Sequence, residues 1–375
     1  MQKSSRALLL AVLAVLALVV APLAGDGPAL AKKSETSAKP AAAKTSKSAS
    51  KTAAKPKAKT SHAAAKKSSA TADAPKKSRK GKRAAAAPVP ADIENEEGDI
   101  GVCAVPTLTV KSAMLWNMTK GEMLYEQNPD VQIPPASLTK VLTLYIIFDA
   151  IRQGKLRPWD VVEVSERAAT QGGSNMRLRR GETDKVTDLI KGIAVASAND
   201  ACMAMADHLE NGNVDAFVAL MNDTAKRLGM SNSVFMNPNG LPADGQLTTA
   251  RDMLRLAAAY LEQFPKALTI HSMQYFTHNN RQRHNANSLL GRYEGVDGLK
   301  TGFVCASGYN IIATAKRGDT RLIAVVLGSR NPRVRERETA KLLDKGFKIV
   351  AAEKAGRKAP VLAATPEAPA NQTRQ

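Results

Sequence analysis

The chain has 375 residues, 44% of them hydrophobic, and 54 Lys plus Arg against 34 Asp plus Glu, for a formal net charge of +20. That is enough apolar material for a sizeable core. The charge is concentrated: residues 32–90 carry 17 basic and 2 acidic side chains, whereas residues 91–375 carry 35 and 31. A fold devoted to nucleic acid is excluded, because it needs its basic face on the folded part, and here that part is nearly balanced.

Lys3 and Arg6 precede the uncharged stretch Ala7–Ala21, and Ala29-Leu30-Ala31 fits a small-residue cleavage site. Residues 1–31 therefore read as an export signal, with Lys32 as the mature N-terminus. The competing reading is an uncleaved membrane anchor, since residues 7–25 approach the roughly 18 apolar residues that can span a bilayer. Under either reading the folded part is expected outside the cytoplasm, in the periplasm or cell envelope. Residues 32–90 are nearly all Ala, Lys, Ser, Thr and Pro, with no aromatic residue. Such a segment buries too little to offset the entropy of ordering, so residues 32–103 are expected to be a disordered tether. Two readings of its charge stand side by side: adhesion to an anionic envelope polymer, lipid headgroup or nucleic acid, and a solvated spacer. The acidic run Asp92–Asp99 suits simple neutralisation of the neighbouring lysines.

Periodic structure begins near Val105 and ends near Val350, which sets one domain at 104–350 and a loose tail at 351–375. Leu108–Trp116 and Glu122–Glu126 flank a turn at Asn117–Gly121 and read as a hairpin. Ser137–Ile151 is a strongly apolar helical stretch. Val186–Ala196 and Ala201–Leu209 read as helices broken at Ser197-Ala198-Asn199-Asp200, which is full of turn-forming side chains. Tyr309–Ala315 and Leu322–Leu327 form a second hairpin around Lys316–Thr320, and Arg333–Val350 reads as an amphipathic helix. Hairpins at both ends with helices between predict an α+β fold, an antiparallel sheet assembled from the two termini and covered by helices.

Three short motifs follow in chain order: Ser137-Leu138-Thr139-Lys140, Ser197-Ala198-Asn199 and Lys300-Thr301-Gly302. Singly they are weak, since Ser48–Lys51 and Ser329–Asn331 match two of the patterns elsewhere. Context gives them weight. Ser137 opens an apolar helix, where unpaired backbone N–H groups and the helix dipole stabilise a developing oxyanion, so it is the candidate nucleophile. Lys140 lies on the same helical face and is the candidate base once neutral; burial and a second cation, Lys300, would both lower its pKa.

Serine β-lactamases and penicillin-binding proteins share this motif set. From about residue 105 to 350 the chain resembles the D-alanyl-D-alanine carboxypeptidases, the low-molecular-mass penicillin-binding proteins of serine peptidase family S11. The likeness extends to Asn237-Pro238-Asn239-Gly240-Leu241, Thr249-Ala250-Arg251-Asp252-Met253, Asp297-Gly298-Leu299 ahead of Lys300, and Ser307-Gly308-Tyr309-Asn310. It implies the serine β-lactamase/DD-peptidase fold, with an all-helical subdomain. It also implies an acyl-transfer cycle on peptidoglycan stem peptides ending in D-Ala-D-Ala, blocked by β-lactams and needing no cofactor or metal. In that cycle Ser137 attacks, Lys140 is the base, Ser197 relays the proton and Asn199 holds a substrate amide. The backbone N–H groups of Ser137 and Phe303, just past Gly302, form the oxyanion hole, and Lys300, Thr301 and Arg330 face the terminal carboxylate. Family members often carry a second, β-rich domain and a C-terminal anchor; with 25 residues after Val350, neither is expected here, and placement falls to the tether. No glutamate occurs between Asn211 and Leu261 to activate water as in class A β-lactamases, so slow release of bound penicillin is expected.

Other chemistries are less well supported. His208, His271, His278 and His284 show no metal-ligand spacing and read as surface or helix-cap residues. No G-x-S-x-G elbow appears. Cys103, Cys202 and Cys305 are too few for a disulfide framework. Cys305 reads as a small buried residue rather than a reactive thiol. Arg177-Leu178-Arg179-Arg180 reads as a solvated loop rather than the rim of an anionic groove. An endopeptidase that cuts peptide cross-links, and a non-catalytic wall- or polyanion-binding protein working through residues 32–90, are the alternative functions.

Overall fold

The computed structural model describes residues 108–356. The export signal, the tether, the acidic run, Cys103 and residues 357–375 lie outside them. Strands β1 (Ser112–Asn117) and β2 (Glu122–Gln127) form the first hairpin, and a 3₁₀ turn at Ala136–Leu138 leads into α1 (Thr139–Arg152). A small sheet of β3 (Val161–Glu163) and β4 (Thr183–Lys185) encloses the short α2 (Glu166–Ala169). Helices α3 (Val186–Val195), α4 (Asn199–Leu209), α5 (Val214–Arg227), α6 (Ala250–Gln263) and α7 (Leu268–His271) complete the helical part. A hairpin of β5 (Tyr275–His278) and β6 (Arg281–His284) precedes β7 (Val296–Val304), β8 (Gly308–Arg317), β9 (Thr320–Ser329) and α8 (Pro332–Lys354).

The main sheet runs β2-β1-β9-β8-β7, all antiparallel, so the first and last strands of the domain pair at its centre. Side chains alternate across it with the period of two that a strand imposes. Leu322, Ala324 and Val326 face α8, where Leu342, Leu343 and Val350 complete one core. Ile323, Val325 and Leu327 face the helical subdomain and the larger core. Helix α8 can lie flat on the sheet because Gly346 has no Cβ; one there would stand 2.6 Å from Leu115 Cδ2. Its start is set by Asn331, whose side chain accepts from Val334 N, followed by Pro332 in the first turn. It runs on to Lys354, four residues into the expected tail, because nothing in Ala351–Lys354 breaks a helix.

Helix α1 is apolar almost all round, with Val141, Leu142, Leu144, Tyr145, Ile146 and Ile147 all buried, as expected of a helix at the centre of a subdomain. Thr249-Ala250-Arg251-Asp252 proves to be a structural device. Thr249 caps α6 by accepting from Asp252 N, Arg251 pairs with Glu126 at 2.7 Å and Asp130 at 2.8 Å, and Asp252 accepts from Asn232 N and Ser233 Oγ. These contacts tie the helical subdomain to the β2 edge of the sheet. No helix among the described residues is long and apolar enough to cross a membrane.

Candidate active site

Ser137 sits in the 3₁₀ turn immediately before α1, and the next helical turn carries Lys140 back beneath it. Lys140 Nζ is 2.9 Å from Ser137 Oγ and 2.7 Å from Asn199 Oδ1, and it also donates to the Asn239 carbonyl. The side chain is completely buried. Burial lowers its pKa from an ordinary 10.5 to about 8, against the opposing pull of Cys202 and Asp200. A neutral amine has two hydrogens and one lone pair. Asn199 Oδ1 and the Asn239 carbonyl can only accept, so they take both hydrogens and leave the lone pair to Ser137. That is the arrangement a general base needs.

Asn199 is itself fixed, since its Nδ2 donates to the Gly172 carbonyl at 2.6 Å and its backbone N to Ser174 O at 2.7 Å. In this state its amide orients Lys140. The break between α3 and α4 is shifted from where the sequence suggests: α3 ends at Val195 and α4 already begins at Asn199, leaving Ala196, Ser197 and Ala198 between them. Ser197 adopts φ of +57°, a left-handed conformation uncommon for serine. From there its Oγ accepts from Lys300 Nζ at 3.0 Å, across a sequence separation of 103 residues. Lys300 also donates to Thr301 O at 2.9 Å. Burial drives its pKa well below the lysine range, and the charges of Lys140 and Arg335 push the same way.

Two glycines allow the elements to meet. An added Cβ at Gly302 would be 3.0 Å from Ser137 N, so β7 passes directly against the Ser137 amide, with the Phe303 amide next along the strand. Gly240, at φ of +81°, packs under the nucleophile turn, where a Cβ would collide with the Ala136 carbonyl. Phe303 is 48% exposed and stacks on Tyr309 with ring centroids 4.3 Å apart. The Thr301 hydroxyl has no hydrogen-bond partner among the described residues, and Arg330 at the end of β9 is exposed and likewise unpaired. The arginine whose charge reaches Lys300 is the buried Arg335, one turn into α8. The fold thus brings Ser137, Lys140, Ser197, Asn199, Lys300 and Gly302 into one hydrogen-bonded or packed cluster. Thr301 and Phe303 lie on the adjoining strand.

Some residues of this site fell in stretches the sequence singled out but were given no role there. The Asn239 carbonyl is a backbone atom, placed because Asn239 Nδ2 donates to Gln171 and Asn237 bonds Gly240 N and Leu241 O. Asp200 accepts from Met176 N, Leu178 N and Ala201 N and so holds the arch of residues 171–180 over α4. The arch leaves Arg177, Arg179 and Arg180 exposed, as a solvated loop should be.

Three expectations need correction. Cys305 is exposed in the turn between β7 and β8, because that turn projects beyond the sheet and nothing packs over it. His271 is buried, not superficial, and carries two hydrogen bonds at the end of α7. His278, Asp184 and Glu182, from two hairpins remote in sequence, converge to within 4.8 Å of one another, where the sequence shows no grouping. His278 Nε2 pairs with Asp184 Oδ1 at 2.9 Å, and the Glu182 oxygens take Arg179 N and Asn279 Nδ2, which joins the β5–β6 hairpin to β4. Cys202 is buried beside Lys140, and burial pushes its thiol up to about 12.

Residues 101–331 match the Peptidase_S11 family model, described as D-alanyl-D-alanine carboxypeptidase. The D-alanyl-D-alanine carboxypeptidase DacC of Escherichia coli is 40% identical over 251 residues, covering 65% of this chain and 62% of that protein. The chain therefore spans less than two thirds of that relative's length. Penicillin binding protein 5 from Haemophilus influenzae superposes with a TM-score of 0.63 at 36% identity, covering 65% of this chain and 72% of that one. Penicillin-Binding Protein D2 from Listeria monocytogenes, solved in an ampicillin-bound form, gives 0.59 at 32%, covering 64% and 98%. With its two Ser–Lys pairs in place and a family match over most of the folded part, this chain belongs to the S11 serine peptidases, the D-alanyl-D-alanine carboxypeptidase family.

Proposed function

We propose that the chain is a D-Ala-D-Ala carboxypeptidase that trims peptidoglycan stem peptides through an acyl-enzyme. The observation that carries this reading is the buried Lys140 amine, 2.9 Å from Ser137 Oγ and bonded to two carbonyl acceptors, an arrangement that leaves its lone pair for Ser137 once it is neutral. Ser137 Oγ attacks the penultimate D-alanine carbonyl while its proton passes to Lys140 Nζ. The oxyanion forms against the backbone N–H groups of Ser137 and Phe303. The C–N bond then breaks, and the leaving D-alanine amine takes the proton through Ser197. Water, deprotonated by Lys140, cleaves the ester and restores Ser137. Lys300, the Thr301 hydroxyl and Arg330 receive the terminal carboxylate, for which a planar guanidinium is well suited. β-Lactams enter the same acylation step, and the lack of a glutamate between Asn211 and Leu261 supports slow release afterwards.

The same reading places the enzyme outside the cytoplasm, in the periplasm or cell envelope. It is carried there by residues 1–31 and held to an anionic envelope polymer by residues 32–90; their basic composition supports this. The test is D-alanine release from a soluble peptide ending in D-Ala-D-Ala, comparing the full chain with Ser137→Ala. Release by the first alone supports the carboxypeptidase; separated muropeptides without free D-alanine would move the assignment to a cross-link endopeptidase. Localisation that survives deletion of residues 32–90 would remove the adhesion role.

A further inference from the structure

Outside the reacting groups, His271 is a buried polar residue bonded to β7 beside Lys300. It ends α7 and is 1% exposed. Its Nδ1 is 2.9 Å from the Leu299 carbonyl and its Nε2 is 3.0 Å from the Tyr260 hydroxyl on α6. A carbonyl only accepts, so Nδ1 carries the hydrogen, and Nε2 then accepts from Tyr260. Burial lowers the ring to about 4, helped by Lys300 and opposed by the Leu299 carbonyl, so it stays neutral and in this one tautomer at neutral pH.

Leu299 immediately precedes Lys300 on β7, the edge strand of the sheet. The carbonyls along this stretch are taken in succession: Gly298 by Asn287 Nδ2 at 3.0 Å, Leu299 by His271, and Thr301 by Lys300 itself. Helix α7 presses close here, since a Cβ at Gly298 would stand 3.4 Å from His271 Cβ. The end of α7 is in turn held by Asn285 Nδ2, which donates to the His271 and Met273 carbonyls at 3.2 Å each. An edge strand has a neighbour on one side only, so without such anchors its free side is not held in place. Misplacing a reacting group by about 1 Å costs about 10²-fold in rate.

We propose that His271 is a positioning residue for the acyl-transfer reaction: its Nδ1–H bond to Leu299 fixes the edge of β7 so that Lys300 Nζ reaches Ser197 Oγ. This rests on the serine-acylation reading given above. The Leu299 carbonyl can only accept and so is enough to fix the tautomer, while Tyr260 occupies the other ring nitrogen.

Two substitutions separate positioning from simple filling of a buried site. In His271→Asn the side-chain nitrogen is attached at Cγ, as Nδ1 is, and can still donate to Leu299. In His271→Gln it lies one bond farther out, in the place of Nε2, and reaches Tyr260 instead. Both leave one former partner without its bond, so a purely structural role predicts similar losses of stability and similar rates. The measurements, on the full chain, are the acylation rate with a fluorescent penicillin, kcat and KM for D-alanine release, and the thermal midpoint. Positioning predicts that the Asn variant acylates within about threefold of wild type while the Gln variant falls at least about tenfold, mainly in kcat, at matching midpoints. Equal rates in the two, or a faster Gln variant, would overturn it. Should the Gln variant not fold, Tyr260→Phe decides: it spares the Leu299 bond, so a loss under about threefold supports the proposal and a tenfold loss overturns it. Wild-type protein that acylates penicillin but releases no D-alanine counts against the proposed substrate, leaving the His271 comparison intact. Wild-type protein that does neither overturns both.

Discussion

The site contains two Ser–Lys pairs of almost equal length built in opposite ways. Ser137 and Lys140 are three residues apart on adjoining helical turns, at 2.9 Å; Ser197 and Lys300 are 103 residues apart, at 3.0 Å. For Lys140 the effect of burial is opposed by Cys202 and Asp200, and its pKa stops at about 8. Burial drives Lys300 well below the lysine range, and the like charges of Lys140 and Arg335 push the same way. Helix geometry alone can thus put a lysine within reach of a serine. How strongly that lysine holds a proton depends on the burial and charges brought to it from elsewhere.

The largest effect should come from exchanging the lysines for methionine. Lys140→Met should lower penicillin acylation about 10³-fold, the scale of a lost general base, and Lys300→Met about 10²-fold, the scale of a lost electrostatic contact. Equal losses would erase the distinction between the pairs. Next comes pH. Acylation needs neutral Lys140, so kcat/KM should rise about tenfold per unit up to a midpoint near 8 and then level off. The groups that act on Lys140 besides burial are Cys202 and Asp200, and Lys300 is itself driven well below the lysine range, so Lys300→Met should leave that midpoint in place; an upward move would mean that the two pairs titrate together. The stability sign follows from the same shift. Folded Lys140 titrates near 8 against 10.5 when exposed, so between these values the folded chain holds fewer protons and this contribution to stability grows as pH rises, which urea midpoints would register.

Gly240→Ala should cost about 3 kcal/mol in urea unfolding, because a Cβ would strike the Ala136 carbonyl at a backbone angle that disfavours side chains. Since Gly240 lies beneath Ser137 and follows Asn239, acylation should fall while the Ser197–Lys300 side stays intact. The smallest effect is reserved for the exposed Arg330. Removing its charge should raise KM for the peptide a few-fold, with kcat and thermal stability unchanged, as expected for a solvent-screened ion pair. A deeper loss in Arg335→Ala than in Arg330→Ala would assign the carboxylate to the buried arginine.

Much of this was legible because it is local. The Ser137–Lys140 spacing, the apolar run of α1, the β1–β2 and β8–β9 hairpins and the amphipathic α8 all express interactions between residues close in the chain. Reading failed where a residue's surroundings come from distant segments. Cys305 is a small apolar residue in a mostly apolar stretch, and only the position of its turn makes it exposed. A lone histidine such as His271 carries no periodicity, and only the meeting of α6, α7 and β7 gives it two partners. The β3–β4 and β5–β6 pairs are short, polar strands whose joining through Asp184 and His278 no local pattern announces.

The sequence by itself determined the α+β architecture, the order of the three motifs and the pairing of Ser137 with Lys140 on one helical face, because helical and strand periodicity and a three-residue spacing act through neighbours. Only the tertiary structure decided that Asn199 and Asn239 accept from Lys140, that Lys300 reaches Ser197 across 103 residues, and that His271 bonds the Leu299 carbonyl beside Lys300. Proton affinity and edge-strand position depend on burial and on partners from remote parts of the chain, and those exist only once the fold has closed.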